Sequence, residues 1–355
     1  MKNIKRILSI FLIPTLLLVG CGKGKNSDDN KKPETSDKGN ITYTIKDYYP
    51  FKENIKIKYK GIGNEFAEKT VFTDYIRGNR VQLRVVNPGT TSVQVMEIKD
   101  GELRLITSKG EYYHRDSIID IENKDYEVLL KEPLIKGTTW SLPNGSKRFI
   151  SDTEKEVETP AGKFKALEVT TENPDYTSHD YYVLNKGLVK SIYTAKDMEV
   201  ITTLESIEEN VPVTQTVKFY YSDYAEDKIY FTNKTVKFNT NDDVKSAFEK
   251  EFRENLNTNI SKLIGDEVSI NKIYLDSNTN TAKIDLSSNF VKEMNAGAGY
   301  EMALLKCITN TLGNYYNVDK AIITLDGRPY SSGHIYMKEN EPIKVDYENV
   351  KEYKK

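Results

Sequence analysis

Residues 282 to 327 read AKIDLSSNFVKEMNAGAGYEMALLKCITNTLGNYYNVDKAIITLDG, and this stretch decides the fold of the C-terminal part of the chain. Ala282, Ile284 and Leu286 share one face of a strand that Ser287 or Ser288 closes. Tyr300, Ala303, Leu304, Cys307, Ile308, Thr311, Leu312 and Tyr315 then recur at the i, i+3, i+4, i+7 spacing of an amphipathic helix, with Cys307 in the middle of the stripe. Ala321 to Leu325 is a further strand, ended by the Asp326-Gly327 turn.

Upstream, Lys218 to Tyr221 and Lys228 to Phe231 read as strands, with Val236 to Phe238 as a short third. Thr240 and Asp243 form a capping pattern. Val244, Phe248, Phe252, Leu256, Ile260 and Leu263 then predict a helix, with Gly265 at its C-terminal cap. Val268 to Leu275 is the next strand. The predicted order from Lys218 is β-β-α-β-β-α-β, an α+β domain with two helices on one face of a sheet.

From Ile41 to about Glu208 the pattern is different. Runs such as Val81 to Val85, Val93 to Ile98 and Val200 to Leu204 alternate apolar and polar residues, and Asn87-Pro88-Gly89, Lys99-Asp100-Gly101 and Asn185-Lys186-Gly187 supply reversals between such runs. They predict an all-β N-terminal domain, an antiparallel sheet closed as a sandwich or half-barrel. The expected organisation is 41-210 for this β domain, 211-215 for a linker, 216-345 for the α+β domain and 346-355 for a polar tail.

Before Ile41, Lys2, Lys5 and Arg6 precede an apolar run from Ile7 to Val19, the length of a signal peptide rather than of a membrane span. Leu18-Val19-Gly20-Cys21 resembles the lipobox of bacterial lipoproteins. That resemblance implies removal of residues 1-20 and acylation of Cys21, a lipid anchor into the bilayer on the extracytoplasmic face of the cell membrane. Two or three acyl chains, palmitate among them, hold where one is marginal, since each buried methylene adds about 0.8 kcal/mol. Residues 21-40 form the expected tether, because positions 22 to 40 have no aliphatic or aromatic side chain with which to offset ordering entropy. Once Cys21 is acylated, Cys307 has no disulfide partner.

Charge excludes a polyanion ligand. The formal net charge is -2, the loss of Lys2, Lys5 and Arg6 makes the mature chain more negative, and acids and bases interleave throughout, so no nucleic-acid partner is expected. With 3 histidines and no Cys/His cluster, no metal site is expected, and no phosphate-cradling glycine loop or other cofactor motif occurs. Ser288, Glu301 and His334 have the residue types of a nucleophile, an acid and a base, but no nucleophile-elbow sequence surrounds the serine. The structural reading explains more. The serines accept orphan backbone N-H groups, Gly297 and Gly299 permit the sharp turn into the helix, and Glu301 sits in its first turn, where the dipole favours negative charge. No catalytic residue is assigned.

The stretch from Ala282, continued by Arg328 to His334, closely resembles the GerM-type sporulation and spore germination domain over about residues 216 to 345. Asp285-Leu286-Ser287-Ser288, Glu301, Thr309 to Leu312, Val318 to Leu325, Asp326-Gly327 and Gly333-His334 carry the resemblance. It implies a bacterial envelope component whose fold is similar to the small ring-building domains of sporulation and secretion assemblies, and which is not an enzyme. Asp285, Ser288, Glu301 and His334 are then the candidate binding or recognition residues. Only one copy of the domain is visible where tandem copies are common, and the link from helix to strand shortens to Leu263 to Asp266.

The expected function is that of a membrane-anchored lipoprotein acting as a non-catalytic assembly or binding module in sporulation, germination or cell-envelope processes. Its expected partners are envelope or sporulation proteins, or peptidoglycan. Two alternatives stand beside it. One is a peptidoglycan-active enzyme or accessory, using carboxylates such as Asp285 and Glu301 across a cleft; paired acids at a suitable separation would favour it. The other is a carrier whose curved β sheet shelters an acyl ligand, which a deep apolar concavity would favour.

Overall fold

The alternating runs between residues 56 and 208 pair into one antiparallel sheet of 12 strands. These are β1 (Lys56–Ile62), β2 (Lys69–Arg77), β3 (Arg80–Val86), β4 (Thr91–Lys99), β5 (Glu102–Lys109), β6 (Glu127–Lys131), β7 (Thr139–Ser141), β8 (Lys147–Thr159), β9 (Gly162–Asn173), β10 (Tyr176–Val183), β11 (Gly187–Ala195) and β12 (Met198–Glu208). The computed structural model describes residues 42 to 354 except 261, 295 and 296. The expected signal peptide, Cys21 and the tether lie outside the described residues.

The strand order is β6-β5-β4-β3-β2-β1-β12-β11-β10-β9-β8-β7, so two meanders join where the first strand pairs with the last. Lys56 lies opposite Glu208 and Ile62 opposite Ile201. Bulges in β2 between Thr73 and Tyr75, in β5 between Leu105 and Thr107 and in β8 between Ile150 and Asp152 add local bend and twist, which curls the sheet. Its two ends nearly meet. Trp140 Nε1 and Arg148 Nη1 both donate to the Val128 carbonyl, at 3.0 and 2.8 Å, and Arg148 pairs with Glu127 at 2.8 Å. Side chains thus bridge β6 to β7 and β8 where backbone pairing stops.

The inward faces make the core. Val81, Met96, Leu103, Leu130, Trp140, Ile150, Leu167, Val169 and Tyr182 cluster at one part of the interior, where a short helix α1 (Ile45–Tyr48) inserts Ile45 and Tyr48. Tyr59, Val71, Val85, Val157, Ala166, Val183, Val189 and Leu204 form a second cluster.

The remaining elements are β13 (Val213–Asp223), β14 (Lys228–Phe238), α2 (Val244–Phe252), β15 (Ile270–Asp276), β16 (Thr281–Leu286), α3 (Asn289–Met294), α4 (Ala298–Tyr316), β17 (Lys320–Leu325), β18 (Arg328–Pro329), β19 (Ile343–Lys344) and β20 (Lys351–Glu352). They make two sheets where a single one was expected: β13-β14-β20, and β15-β16-β17-β18 with β19 also on β17. β16 and β17 run parallel, which requires the crossover that α3 and α4 supply. Phe219, Phe248, Phe252, Leu286, Leu304, Leu305, Ile308, Leu312 and Ile323 share one core.

Local chemistry moves several expected boundaries. The helix starting at Val244 stops at Phe252, not Leu263. Asn257 Oδ1 accepts the Asn259 and Ile260 amides, Asn255 Oδ1 accepts Lys262 N, and the Phe252 carbonyl accepts Leu263 N at 2.6 Å. These asparagines offer the backbone a non-helical alternative, while Ile260 and Leu263 are buried all the same. The N-cap is Asp243, whose Oδ1 accepts Ser246 N. Thr240 instead exchanges hydrogen bonds with Asn54. β13 already begins at Val213, inside the expected linker, and residues 289 to 294, ahead of the turn expected at Gly297 and Gly299, form the unexpected helix α3. The polar tail is docked: Asn310 exchanges hydrogen bonds with the Asp346 backbone, and Tyr347 stacks on Tyr220 with ring centroids 5.5 Å apart.

The segment between β5 and β6 reaches across to the elements after residue 212. Arg115 is wholly buried and donates to Asp74 Oδ1 and to the carbonyls of Asn239 and Asp242. Tyr315 Oη accepts Arg115 N at 2.9 Å, and Tyr316 Oη donates to Asp116 at 3.0 Å.

Candidate functional site

The end of β16 carries two of the four candidate residues. Asp285 Oδ1 accepts from Thr324 Oγ1 at 2.5 Å and from Gly327 N at 2.8 Å, and its Oδ2 accepts from Asn271 Nδ2 at 3.0 Å. Ser288 N donates to Asp326 Oδ2 at 3.1 Å, and Asn271 Nδ2 also reaches Asp326 Oδ1 at 3.3 Å. Hydrogen bonds from the Ser288 side chain and backbone hold the Asp326 carboxyl below its ordinary pKa. The structure therefore joins Asp285 and Ser288 in one network that clamps the Asp326-Gly327 turn. Both turn residues have positive φ, 47° and 74°, which suits a tight hairpin between β17 and β18. Ser287 instead ties the end of β16 to the residue before β15, its Oγ accepting Ser269 N at 3.0 Å.

Glu301 is separate from this network. It lies in the first turn of α4, as expected, but is fully buried. Its Oε1 accepts from Tyr330 Oη at 2.7 Å, while Oε2 has no hydrogen-bond partner. Burial and the Glu301 carboxylate together push the Tyr330 phenol well above its ordinary pKa. Tyr330 also packs edge-on against Phe290 of α3, so Glu301 ties α4 to the strand that follows the hairpin.

His334 is exposed in the loop after Tyr330, and its backbone N donates to Ser332 Oγ at 3.0 Å. No hydrogen bond links Ser288, Glu301 and His334 among the described residues. In the chain, Met302 follows Glu301 in α4, and His334 and Tyr336 follow Tyr330 in the loop after β18; all three are exposed. Met302 and Tyr336 are 45% and 78% exposed.

The Thr309-Asn310-Thr311 run is wholly buried in α4. Thr311 Oγ1 accepts Tyr220 N and donates to the Cys307 carbonyl, and Asn310 holds the C-terminal segment. Burial pushes the Cys307 thiol far above its ordinary pKa, which makes it an unreactive core residue.

A concavity in the 12-stranded sheet is the second site. Tyr59, Val71, Val81, Leu83, Val85, Met96, Tyr182 and Leu188 line a cavity of about 150 Å³, with Lys52, Lys69 and Lys186 among its polar lining. Sequence reading raised a curved apolar sheet without naming these residues. The signal was present in the alternation Lys69-x-Val71-x-Thr73 and Val81-x-Leu83-x-Val85, but which strands face one another depends on the β1–β12 pairing.

Residues 218–331 match the family described as Germane, sporulation and spore germination. The match assigns this segment, and not the whole chain, to the GerM-type sporulation and spore germination domain. Among solved structures, the chain is similar to the tandem GerMN domains of the sporulation protein GerM from Bacillus subtilis, at 14% identity and a TM-score of 0.27, over 36% of this chain and 45% of that one. A protein with a YmcC-like fold from Bacteroides fragilis matches at 15% identity and a TM-score of 0.30, over 46% of this chain and 99% of that one. A protein from Parabacteroides distasonis, provisionally described as a lipoprotein, matches at 16% identity and a TM-score of 0.29, over 45% of this chain and 98% of that one. Among curated proteins, none matches. Among the described residues no helix is long and apolar enough to cross a membrane.

Proposed function

We propose that the protein is a lipid-anchored extracytoplasmic lipoprotein that acts as a non-catalytic assembly or binding module in sporulation, spore germination or envelope processes. The family match over residues 218–331 supports the process. The observation that carries the molecular reading is how the domain uses its polar side chains. Asp285 and Ser288 stabilise a turn, and Glu301 fastens a helix to a tyrosine. These polar contacts are structural, which leaves exposed side chains such as Met302, His334 and Tyr336, close in the chain to Glu301 and Tyr330, to meet a partner in the envelope. Anchoring rests on the Leu18 to Cys21 motif, with the bilayer as the first partner.

The test replaces the native copy with a Met302→Glu/Tyr336→Glu double variant. The variant should reach the membrane fraction in normal amount and melt normally, yet reproduce the sporulation, germination or envelope defect of a deletion. Wild-type behaviour of the variant, beside a clear deletion defect, would remove the surface from the reading. Release of soluble glycan fragments from purified peptidoglycan by the wild-type protein would remove the non-catalytic role.

A further inference from the structure

The cavity of the 12-stranded sheet has a chemistry of its own, independent of the GerM-type domain. Its deep lining is apolar: Val71, Val81, Met96, Tyr59 and Tyr182 are all buried. Among its polar lining are lysines, Asn185, Gln94 and Thr73, and no carboxylate.

Lys69 is the informative member. It lies on the same face of β2 as Val71 and Thr73, half-buried, and its ammonium makes no hydrogen bond or ion pair among the described residues. The nearest feature is the Tyr59 ring, with its centroid 5.5 Å from Nζ. Loss of hydration pushes its pKa down, and Asp180 opposes that shift. The Asp180 carboxylate accepts from Ser191 Oγ at 2.6 Å and makes no ion pair with Lys69. Asp180 thus offsets only part of the desolvation of the ammonium, and a further anion in the cavity would relieve the rest. Lys186, exposed and also without a carboxylate, adds a second cation to the same lining, its Nζ 5.6 Å from the Phe164 ring centroid. Lys52 is already paired with Glu209 at 3.1 Å.

We propose that this cavity binds a single-chain anionic amphiphile of the fatty-acid class, its terminal methylenes among Val71, Val81, Leu83 and Met96 and its carboxylate facing Lys69 and Lys186. An apolar cavity of about 150 Å³ accepts a molecule the size of benzene, so this one holds the end of one chain and not a two-chain lipid. Each methylene taken from water contributes about 0.8 kcal/mol, and a charge-assisted bond to an ammonium adds orientation as well as affinity. The lysines thereby select for the head, and the apolar wall selects for the tail.

The experiment uses the full chain carrying Cys21→Ser, so that no acyl group of its own competes. Cis-parinaric acid, whose fluorescence rises on leaving water, and its methyl ester are titrated separately. The acid should bind saturably at one site, and more tightly than the ester. Lys69→Gln should weaken the acid about tenfold, the equivalent of one charge-assisted contact, and leave the ester unchanged. Leu83→Trp, which fills the cavity, should weaken both, and Leu188→Trp provides the same test should Leu83→Trp melt early. Absence of saturable binding, or undiminished binding by a tryptophan variant of normal melting, overturns the site. Equal affinity for acid and ester overturns the anionic head.

Discussion

Arg115 Nη1 donates to Asp74 Oδ1 at 2.7 Å, and both side chains are completely shielded from solvent. Arg84 reaches the other oxygen of the same carboxylate at 2.8 Å, so one buried anion answers two buried guanidinium groups. Arg115 also donates to the Asn239 and Asp242 carbonyls and lies over the Phe238 ring, 5.0 Å from its centroid. Asp74 thus neutralises the cation that fastens the β5–β6 segment to the end of β14.

Asp74→Ala should therefore be among the most destabilising substitutions in the chain, at roughly 3 to 5 kcal/mol, because it leaves buried charge without compensation. Denaturant titration followed by far-ultraviolet circular dichroism measures this. A loss below about 1 kcal/mol would show that water reaches the two arginines and that their burial is not the governing cost.

A second prediction concerns pH. Desolvation, then Arg84, lowers the His114 pKa to about 4, while desolvation raises that of Asp116 to about 6 against hydrogen bonds from Leu275 N and Tyr316 Oη. His114 therefore contributes stability above its unfolded pKa of about 6.5 and loses it as pH falls towards 4. Asp116 acts in the opposite sense, contributing at low pH and losing that contribution as pH rises from about 3.8 through 6. The two nearly cancel between pH 4 and 6.5. Asp116→Asn should expose the histidine term, so that stability falls on acidification across that window relative to wild type, the more so because His114 Nε2, 3.9 Å from Asp116 Oδ2, loses its neighbouring carboxylate. His114→Phe, which keeps the ring packing against Tyr112 and Tyr316, should shift the other way. Melting temperatures measured across the window check both signs.

Third, Glu301→Ala should cost about 1 to 3 kcal/mol, since it orphans the buried Tyr330 hydroxyl. Glu301→Gln should cost less, because an amide oxygen can still accept from Tyr330. Leu304→Ala, which only removes packing, should cost about 2 to 5 kcal/mol. Chemical denaturation of the three variants ranks them, and a Glu301→Gln loss as large as that of the alanine variant would require an interaction of the charge itself.

Fourth, Asp285→Ala removes acceptors from Thr324, Gly327 and Asn271 together. The Gly327 amide should exchange with solvent at least about tenfold faster, as expected for the loss of one hydrogen bond to a charged group. Exchange of the α4 core amides should remain slow. Hydrogen exchange followed by mass spectrometry resolves the two regions.

How far the residues alone disclosed this architecture follows from the range of the interactions. The α4 stripe from Tyr300 to Tyr315 was legible because helical periodicity is local, and so was the Asp326-Gly327 hairpin, a two-residue chemistry. The arrest of α2 at Phe252 was not, because the apolar spacing through Ile260 and Leu263 records burial, which the loop achieves as well as a helix would. The joining of two meanders into one 12-stranded sheet depends on β1 finding β12 across more than a hundred residues, and no short-range signal reports it. Among the serines, Ser287 accepts a backbone N-H as its place at a strand end suggested, whereas Ser288 donates to the Asp326 carboxylate, a partner that lies across the sheet in β17's turn. The complete burial of Glu301 was hidden because its partner Tyr330 lies beyond a strand and a hairpin.

Helix α1 also has a mechanical meaning. Ile45 and Tyr48 are embedded inside the curled sheet, Ile45 N donates to Glu132 Oε1 at 2.9 Å, and the Asp47 carbonyl accepts Asn185 N at 2.7 Å. Any tension entering the folded body through Tyr43 must first load these contacts. Tyr49, Pro50 and Phe51, the next residues along the chain, belong to the cavity wall. A force entering at Tyr43 would thus meet α1 and the cavity wall before the sheet's hydrogen-bond ladder, so the mechanical entry to the folded body and the cavity share the same few residues.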